Sequence, residues 1–149
     1  MNWQELASTS HFQTAQAIAD RLAHGEVGEA QAGIQELIEA VARSEKRALR
    51  SQLIRLMVHV LKWKCQPERR SRSWAVSIYQ ARDEITAIQE EVPSLTRARI
   101  EEMWETCLRS ASRQARAEVG RQLGGESLSW VEAFDAEYQL DDSIEEGTA

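Results

Sequence analysis

The chain has 149 residues, of which 42% are hydrophobic and 28% are charged, and its formal net charge is −6. These are ordinary values for a globular domain, and they exclude an intrinsically disordered chain, which would be poorer in hydrophobic residues. The two cysteines, Cys65 and Cys107, form no CxxC pair, which is typical of a reduced, intracellular protein. No apolar run approaches the roughly 18 residues of a membrane span, and no signal-peptide pattern opens the chain. We therefore expect a cytoplasmic protein of bacterial type with no membrane partner.

The first third of the chain predicts two helical regions. Ser10 and Gln13 have the spacing of a capping box, so a helix is expected to run to about His24, with Gly25 after its end. Its apolar side is short and comprises Phe12, Ala15, Ile18, Ala19 and Leu22. The second region begins near residues 27–29 and continues to Lys64. A stripe at helical spacing predicts its buried face: Ile34, Leu37, Ile38 and Val41. The sequence leaves open whether residues 29–64 form one helix or two.

Two prolines divide the following stretch. Pro67 is predicted to end the long region and to open the next helix at its first position, where a missing N–H is harmless. Apolar residues then recur at alternating steps of four and three, which predicts packing along a heptad seam. They are Trp74, Ile78, Ala81, Ile85, Ile88 and Val92. Pro93 is predicted to end this helix, and Ser94 to cap the one that follows.

The last helices complete the fold prediction. One buried face is expected to comprise Ile100, Trp104, Cys107, Leu108, Ala111, Ala115 and Val119, with Gly124 and Gly125 ending that helix. Ser129 and Glu132 form another capping box, which predicts a short helix. We expect an all-α fold, an up-and-down helical bundle of four main helices with short appended helices. Residues 1–140 are expected to form a single domain, and residues 141–149 an acidic, disordered tail.

Charge is distributed unevenly along the chain. Residues 43–72 contain ten basic and two acidic residues, a net charge of +8 in a chain whose total is −6. This asymmetry indicates either a basic surface for an anionic partner or a basic element that pairs with acidic ones in the same fold. A second basic stripe, Arg109, Arg113 and Arg116, is expected to be solvated and supported by pairs such as Glu105 with Arg109.

The most distinctive segment is residues 59–74, which we call the basic corner. Six cations in or near it are candidate contacts for an anion: Arg47, Arg50, Lys62, Lys64, Arg69 and Arg72. Five residues are candidates for holding the corner itself: His59, Trp63, Pro67, Arg70 and Trp74. On a helix that starts at Pro67, Arg70 lies one turn before Trp74, where it would stack on that indole or pair with a buried carboxylate. Arg69 and Arg72 would point outward.

Catalytic and metal-binding patterns are missing from the sequence. Neighbouring cations favour the neutral form of His59, but no carboxylate or nucleophile accompanies it. His11 and His24 lack metal-ligand spacing to it, and the glutamates lack the Glu-x-x-His pairs of di-iron bundles. We therefore expect no catalytic residue, no metal and no cofactor.

Three segments resemble a known family, namely residues 44–51, 59–63 and 66–74. Their sequences, SEKRALRS, HVLKW and QPERRSRSW, are similar to the bacterial domain-of-unknown-function family 29, and the likeness extends from about Thr14 to Leu140. The resemblance implies a helical bundle and a family-level leaning toward nucleic-acid binding. It implies no catalytic residues.

Two non-enzymatic functions remain open from the sequence, beside a third hypothesis, an enzyme with a site around His59. The first is a non-enzymatic binding module that holds nucleic acid or an acidic protein through the basic corner. The alternative is a protein–protein interaction or self-assembly domain, in which the corner is purely structural. In that case an outer stripe containing Val76 and Tyr79 would contact a second copy in a homo-oligomer.

Overall fold

The computed structural model describes residues 1–120 and 127–140. It contains five α-helices: α1 (Trp3–Thr9), α2 (His11–Ala23), α3 (Val27–Cys65), α4 (Arg72–Glu91) and α5 (Arg97–Val119). Two short turns follow α3 and α5, a 3-10 turn at Pro67–Arg69 and a π-helical turn at Val131–Asp135. The described ranges contain no strand, so the all-α prediction is confirmed. None of the helices within these ranges is both long and apolar enough to cross a membrane.

The chain divides into two compact units, Met1–Arg47 and Ala48–Ala149. Helix α3 is continuous, with Ser44 in its interior, so residues 29–64 form one helix rather than two. The predicted single domain over residues 1–140 stays a prediction. The expected acidic tail, residues 141–149, lies outside the described residues.

The first unit is built on a small core. Trp3, Ile18 and Ala30 are buried together, and the Trp3 Nε1–H donates to the Glu29 carboxylate at 3.0 Å. As predicted, the Ser10 hydroxyl caps α2, accepting a hydrogen bond from the Gln13 amide at 3.1 Å. The helix ends at Ala23, two residues before Gly25, which has a φ of 78°.

The apolar stripe predicted for the core of this unit is partly exposed. Ile34 and Ile38 have 41% and 56% of their surface accessible, and Phe12 has 71%. The buried residues of α3 here are smaller and lie on a neighbouring face: Ala30, Gly33 and Ala40, with Leu37 half-buried. The prediction was wrong because α1 and α2 pack closely only where α3 offers small side chains.

The second unit contains three helices in alternating directions. Arg55 donates to Gln80 at 3.0 Å, and Lys62 Nζ lies 4.7 Å from the Trp74 ring, so α4 runs back along the end of α3. Lys62 also pairs with Glu118, and Arg50 contacts Cys107, so α5 runs in the direction of α3. Most of the predicted α4 seam is buried here: Ile78, Ala81, Ile85 and Ile88.

Several helix ends differ from the prediction. Pro67 opens only a 3-10 turn, and α4 begins later because the Ser71 hydroxyl caps it, accepting from the Trp74 amide at 3.2 Å. The N-cap of α5 is Thr96 rather than Ser94. Gly120, with a φ of 77°, ends α5 in the left-handed conformation that glycine adopts without strain. The predicted stop at residues 124 and 125 lies outside the described residues.

Residues 127–140 form a C-terminal segment that is held on the helices by polar contacts. The predicted capping box is confirmed, since the Ser129 hydroxyl accepts from the Glu132 amide at 3.1 Å and the Glu132 carboxylate accepts from the Ser129 amide at 3.0 Å. Arg82 donates through Nε to the Ala133 carbonyl and through Nη2 to the Ala136 carbonyl, both at 2.8 Å. One arginine therefore satisfies two carbonyls of a segment that has little regular structure.

Substituting Gly33 with alanine is expected to destabilise the first unit. An added Cβ would lie 2.8 Å from Ile18 Cγ1 and 2.9 Å from the Trp3 ring. Overpacking of this kind costs about 1–3 kcal/mol, which exceeds the gain in helix propensity of about 0.5–1 kcal/mol. Urea unfolding measures the difference. Gly28→Ala is the control, because an added Cβ there meets no atom within 4 Å; equal effects of the two substitutions would contradict the prediction.

Substituting Arg82 with lysine is expected to loosen the C-terminal segment. A lysine keeps the charge but cannot donate to two carbonyls in a fixed fork, and each lost charged hydrogen bond is worth about 1.5–3 kcal/mol. Hydrogen exchange at the Tyr138 amide, which donates to the Tyr79 hydroxyl at 2.8 Å, should accelerate by roughly tenfold or more. Arg113→Lys, on exposed α5 surface, should leave this rate unchanged.

Candidate functional site

Arg70 closes the C-terminal end of α3. Its Nε donates to the Trp63 carbonyl at 2.8 Å, and its guanidinium lies 5.1 Å from the centre of the Trp63 ring. Carbonyls in the last turn of a helix have no partner within that helix, and Arg70 supplies one. The expected partner was Trp74. That expectation assumed a helix starting at Pro67, whereas the 3-10 turn directs Arg70 back onto α3.

The Lys62 ammonium contacts an aromatic ring on α4 and a carboxylate on α5. Its ammonium lies 4.7 Å from the Trp74 ring and 2.9 Å from the Glu118 carboxylate, and only 14% of its side chain is exposed. The hydrogen bond from Lys62 is the main reason that the pKa of Glu118 is lowered. This lysine therefore joins α3 to α4 and α5.

Lys64 binds the C-terminal segment through a carboxylate and a backbone carbonyl. Its ammonium is 2.6 Å from the Glu132 carboxylate and 3.0 Å from the Ser127 carbonyl. The hydrogen bond from Lys64, followed by the one from the Ser129 backbone, lowers the pKa of Glu132. Lys62 and Lys64, two of the six candidate cations, thus have carboxylate partners among the described residues.

His59 occupies a half-buried position on α3. Its Nδ1 lies 2.8 Å from the Arg55 carbonyl, which can only accept, so Nδ1 carries a proton. Burial lowers the pKa of His59, and Lys62 and Arg55 lower it further, although the Arg55 carbonyl and Glu118 raise it. These surroundings therefore favour the neutral form of the ring. Within residues 1–120 and 127–140, no group of histidine, cysteine, aspartate or glutamate side chains is arranged to hold a metal ion.

The four candidate arginines are exposed. Arg47 belongs to the first unit, and Arg50 to the second, where it hydrogen-bonds to Cys107. Burial raises the pKa of that thiol, with Arg50 opposing the shift. Arg69 makes no ion pair with any described carboxylate, whereas Arg72 has a further interaction within the chain.

The candidate cations do not form one cluster in the second unit. Arg50 precedes the end of α3 at Cys65 by fifteen residues, which corresponds to about 22 Å along the helix axis. Arg69 and Arg72 follow that end. The basic corner therefore combines exposed arginines with three cations, Lys62, Lys64 and Arg70, that contact other parts of the second unit.

Two features were missed by sequence reasoning. Trp104, Trp130 and Phe134 form an aromatic cluster, with ring centres 5.8 Å apart for Trp104–Trp130 and 4.2 Å apart for Trp130–Phe134. The guanidinium of Arg97 lies 4.1 Å from the Trp130 ring. These contacts join residues far apart in the chain, and only the high tryptophan content hinted at them.

Tyr79 was expected on a free outer stripe with Val76. Val76 is half exposed, but the Tyr79 hydroxyl accepts from the Tyr138 amide and Arg82 lies 5.4 Å from its ring. The tyrosine is thus an anchor for the C-terminal segment. A helical projection of the α4 sequence does not reveal that Tyr79 contacts residues 127–140.

Comparison with known proteins gives one match. The family model described as "Domain of unknown function DUF29" matches residues 12–143, which is most of the chain and includes the whole basic corner. No curated protein and no solved structure matches. Because this match covers well over half of the chain, the chain belongs to the DUF29 family.

Proposed function

We propose that the chain is a non-enzymatic binding module that holds an anionic partner through exposed arginines. One observation carries the proposal: the fold pairs Lys62 and Lys64 with carboxylates, whereas the four candidate arginines are exposed and no described carboxylate forms an ion pair with Arg47, Arg50 or Arg69. The candidate contacts are therefore Arg47 in the first unit and, separately, Arg50, Arg69 and Arg72 in the second.

The chemistry of the exposed residues supports a phosphate-bearing partner. Guanidinium groups donate in a planar fork that matches phosphate oxygens, whereas lysine acts as a point charge. Arg47 is accompanied in the first unit by Arg43 and Lys46, which are also exposed and make no ion pair with the described residues. Nucleic acid is the partner that presents such phosphates in a row.

The net charge of −6 opposes binding to a polyanion, so the attraction must come from direct contacts between the arginines and the phosphates. Binding of this kind releases counterions and weakens as salt rises. Contacts to four phosphates predict a slope of about −3.6 in a plot of log affinity against log salt, and six contacts would predict about −5.4. The slope therefore measures how many cations reach the partner.

Fluorescence anisotropy with a labelled duplex of about 20 base pairs tests the proposal. We expect binding at low salt with a slope near −3.6, and Arg69→Gln/Arg72→Gln should reduce its magnitude by about 1.8. Arg109→Gln/Arg113→Gln is the matched control, because it removes the same charge from exposed residues of α5 and should leave the slope unchanged.

Two outcomes would reject nucleic-acid binding, namely no binding at low salt and an affinity that does not depend on salt. Equal effects of the two double variants would mean that only net charge matters, and would reject Arg69 and Arg72 as the contacts. Titration with an acidic polypeptide such as polyglutamate then tests whether the anionic partner is a protein.

Self-assembly is a second candidate, favoured by the first unit. Val27, Ile34 and Ile38 are 53%, 41% and 56% exposed, and their spacing of seven and four is that of a coiled-coil seam. A second copy of the chain would cover this face with the same face of its own. Such a contact is isologous and closes as a dimer.

Light scattering after size-exclusion chromatography tests the dimer. The chain should show a mass that rises from monomer to dimer with concentration, and Ile34→Gln/Ile38→Gln should remain monomeric. Val76→Gln, at an equally exposed apolar position on α4, should still dimerise. A monomer at every concentration, or loss of the dimer in Val76→Gln alone, would contradict self-assembly through the first unit.

A further inference from the structure

A cleft in the second unit combines two indole rings with two carboxylates. It has a volume of about 310 Å³ and is lined by Glu101, Trp104, Glu105, Leu128 and Trp130. The Trp104 Nε1–H donates to the Leu128 carbonyl at 3.3 Å, and the Trp104 and Trp130 rings are stacked. The C-terminal segment is thereby fixed to α5, and both walls of the cleft are held in place.

The walls of the cleft suit a cation. Indole faces attract a cation that lies within about 6 Å of the ring centre. Glu101 and Glu105 are exposed and add negative charge. Glu105 makes no hydrogen bond or ion pair with the residues that the structure describes, so its expected pair with Arg109 does not form there. The cleft therefore contains an indole ring, that of Trp104, and a carboxylate, that of Glu105, which has no cationic partner among the described residues.

Arg97, at the edge of the cleft, contacts both an indole ring and a carboxylate. Its guanidinium lies 4.1 Å from the Trp130 ring, and its Nε donates to the Glu101 carboxylate at 2.9 Å. The side chains of Arg97 and Glu101 are 61% and 55% exposed, so solvent can compete for both contacts. Arg97 therefore contacts two of the lining residues, whereas Glu105 has no ion pair or hydrogen bond with the described residues.

We propose that this cleft binds an arginine side chain of a partner peptide, stacked on the indoles and paired with Glu105. Arginine fits better than lysine because its flat guanidinium stacks on a ring while its N–H groups face a carboxylate. The ligand is opposite in charge to the anion proposed for the exposed arginines. The two proposals therefore stand or fall separately.

The test uses the full chain with ¹⁵N-labelled tryptophan and the peptide acetyl-Gly-Arg-Gly-amide. We expect the indole N–H signals of Trp104 and Trp130, assigned with Trp→Phe variants, to shift saturably. The matching peptide with citrulline in place of arginine has the same shape without the charge, and it should cause no saturable shift. The lysine peptide should bind more weakly than the arginine peptide.

Three variants separate the cleft from a general charge effect. Glu105→Gln should raise the Kd of the arginine peptide by up to about fivefold. Arg97→Gln should lower the Kd by about two- to fivefold, because it frees the Trp130 face and Glu101. Arg99→Gln is the control: Arg99 pairs with Glu102 at 3.1 Å with similar exposure, and its loss should leave the Kd unchanged.

Glu105→Gln is expected to raise the Kd and Arg97→Gln to lower it, so each variant can contradict the proposal separately. If Arg97→Gln weakens binding, Arg97 serves only to support Trp130, and the cleft is not competing for a cation. If Arg97→Gln and Arg99→Gln tighten binding equally, the effect is long-range charge. Equal binding of the citrulline peptide, or no shift of either indole signal, overturns the proposal directly.

Discussion

The second unit depends on cationic side chains that satisfy backbone carbonyls. Carbonyls at helix ends and in irregular segments lack the partners that a regular helix provides, and burying them unpaired is costly. Arg70 bonds the Trp63 carbonyl, Lys64 the Ser127 carbonyl, and Arg82 those of Ala133 and Ala136. Without these donors, neither the end of α3 nor the C-terminal segment would have its polar groups satisfied.

This constraint accounts for part of the charge asymmetry, at Lys64 and Arg70. The basic residues of the corner are concentrated where α3 ends and the chain turns, which is where unpaired carbonyls accumulate. Lys62 and Lys64 also meet acidic residues from distant parts of the chain, Glu118 and Glu132. A run of basic residues in the sequence thus contains both cations that bind other parts of the fold and cations that are exposed.

The sequence predicted most features that depend on local chemistry. The capping hydroxyls of Ser10 and Ser129 and the seam through Ile78, Ala81 and Ile85 follow from neighbouring residues, and all are present. Features that depend on distant partners were missed. Arg82 contacts residues about fifty positions away, and nothing in the sequence of α4 identifies that arginine as an anchor.

The errors at helix ends and in the first unit have a related cause. Ser94 and Thr96 are both good caps, so the choice between them depends on how the α4–α5 loop packs rather than on residue type. Ile34 and Ile38 are apolar and regularly spaced, but periodicity shows only that a face can be buried. Whether another element covers that face depends on the length of α1 and α2. The outward position of Arg69 and Arg72 could be predicted, whereas the cleft at Trp104 and Trp130 joins residues far apart in the chain, which no spacing rule identifies.

The attachment of the C-terminal segment also has a consequence for the order of folding. Nearly all its polar contacts outside the Ser129–Glu132 turn join it to residues at least twenty-four positions away, so it can dock only after α3, α4 and α5 have assembled. Contacts that form after the transition state affect the unfolding rate more than the folding rate. We therefore expect the contacts of this segment to form late in folding. They should slow the unfolding of the assembled helices and have little effect on the rate at which the helices fold.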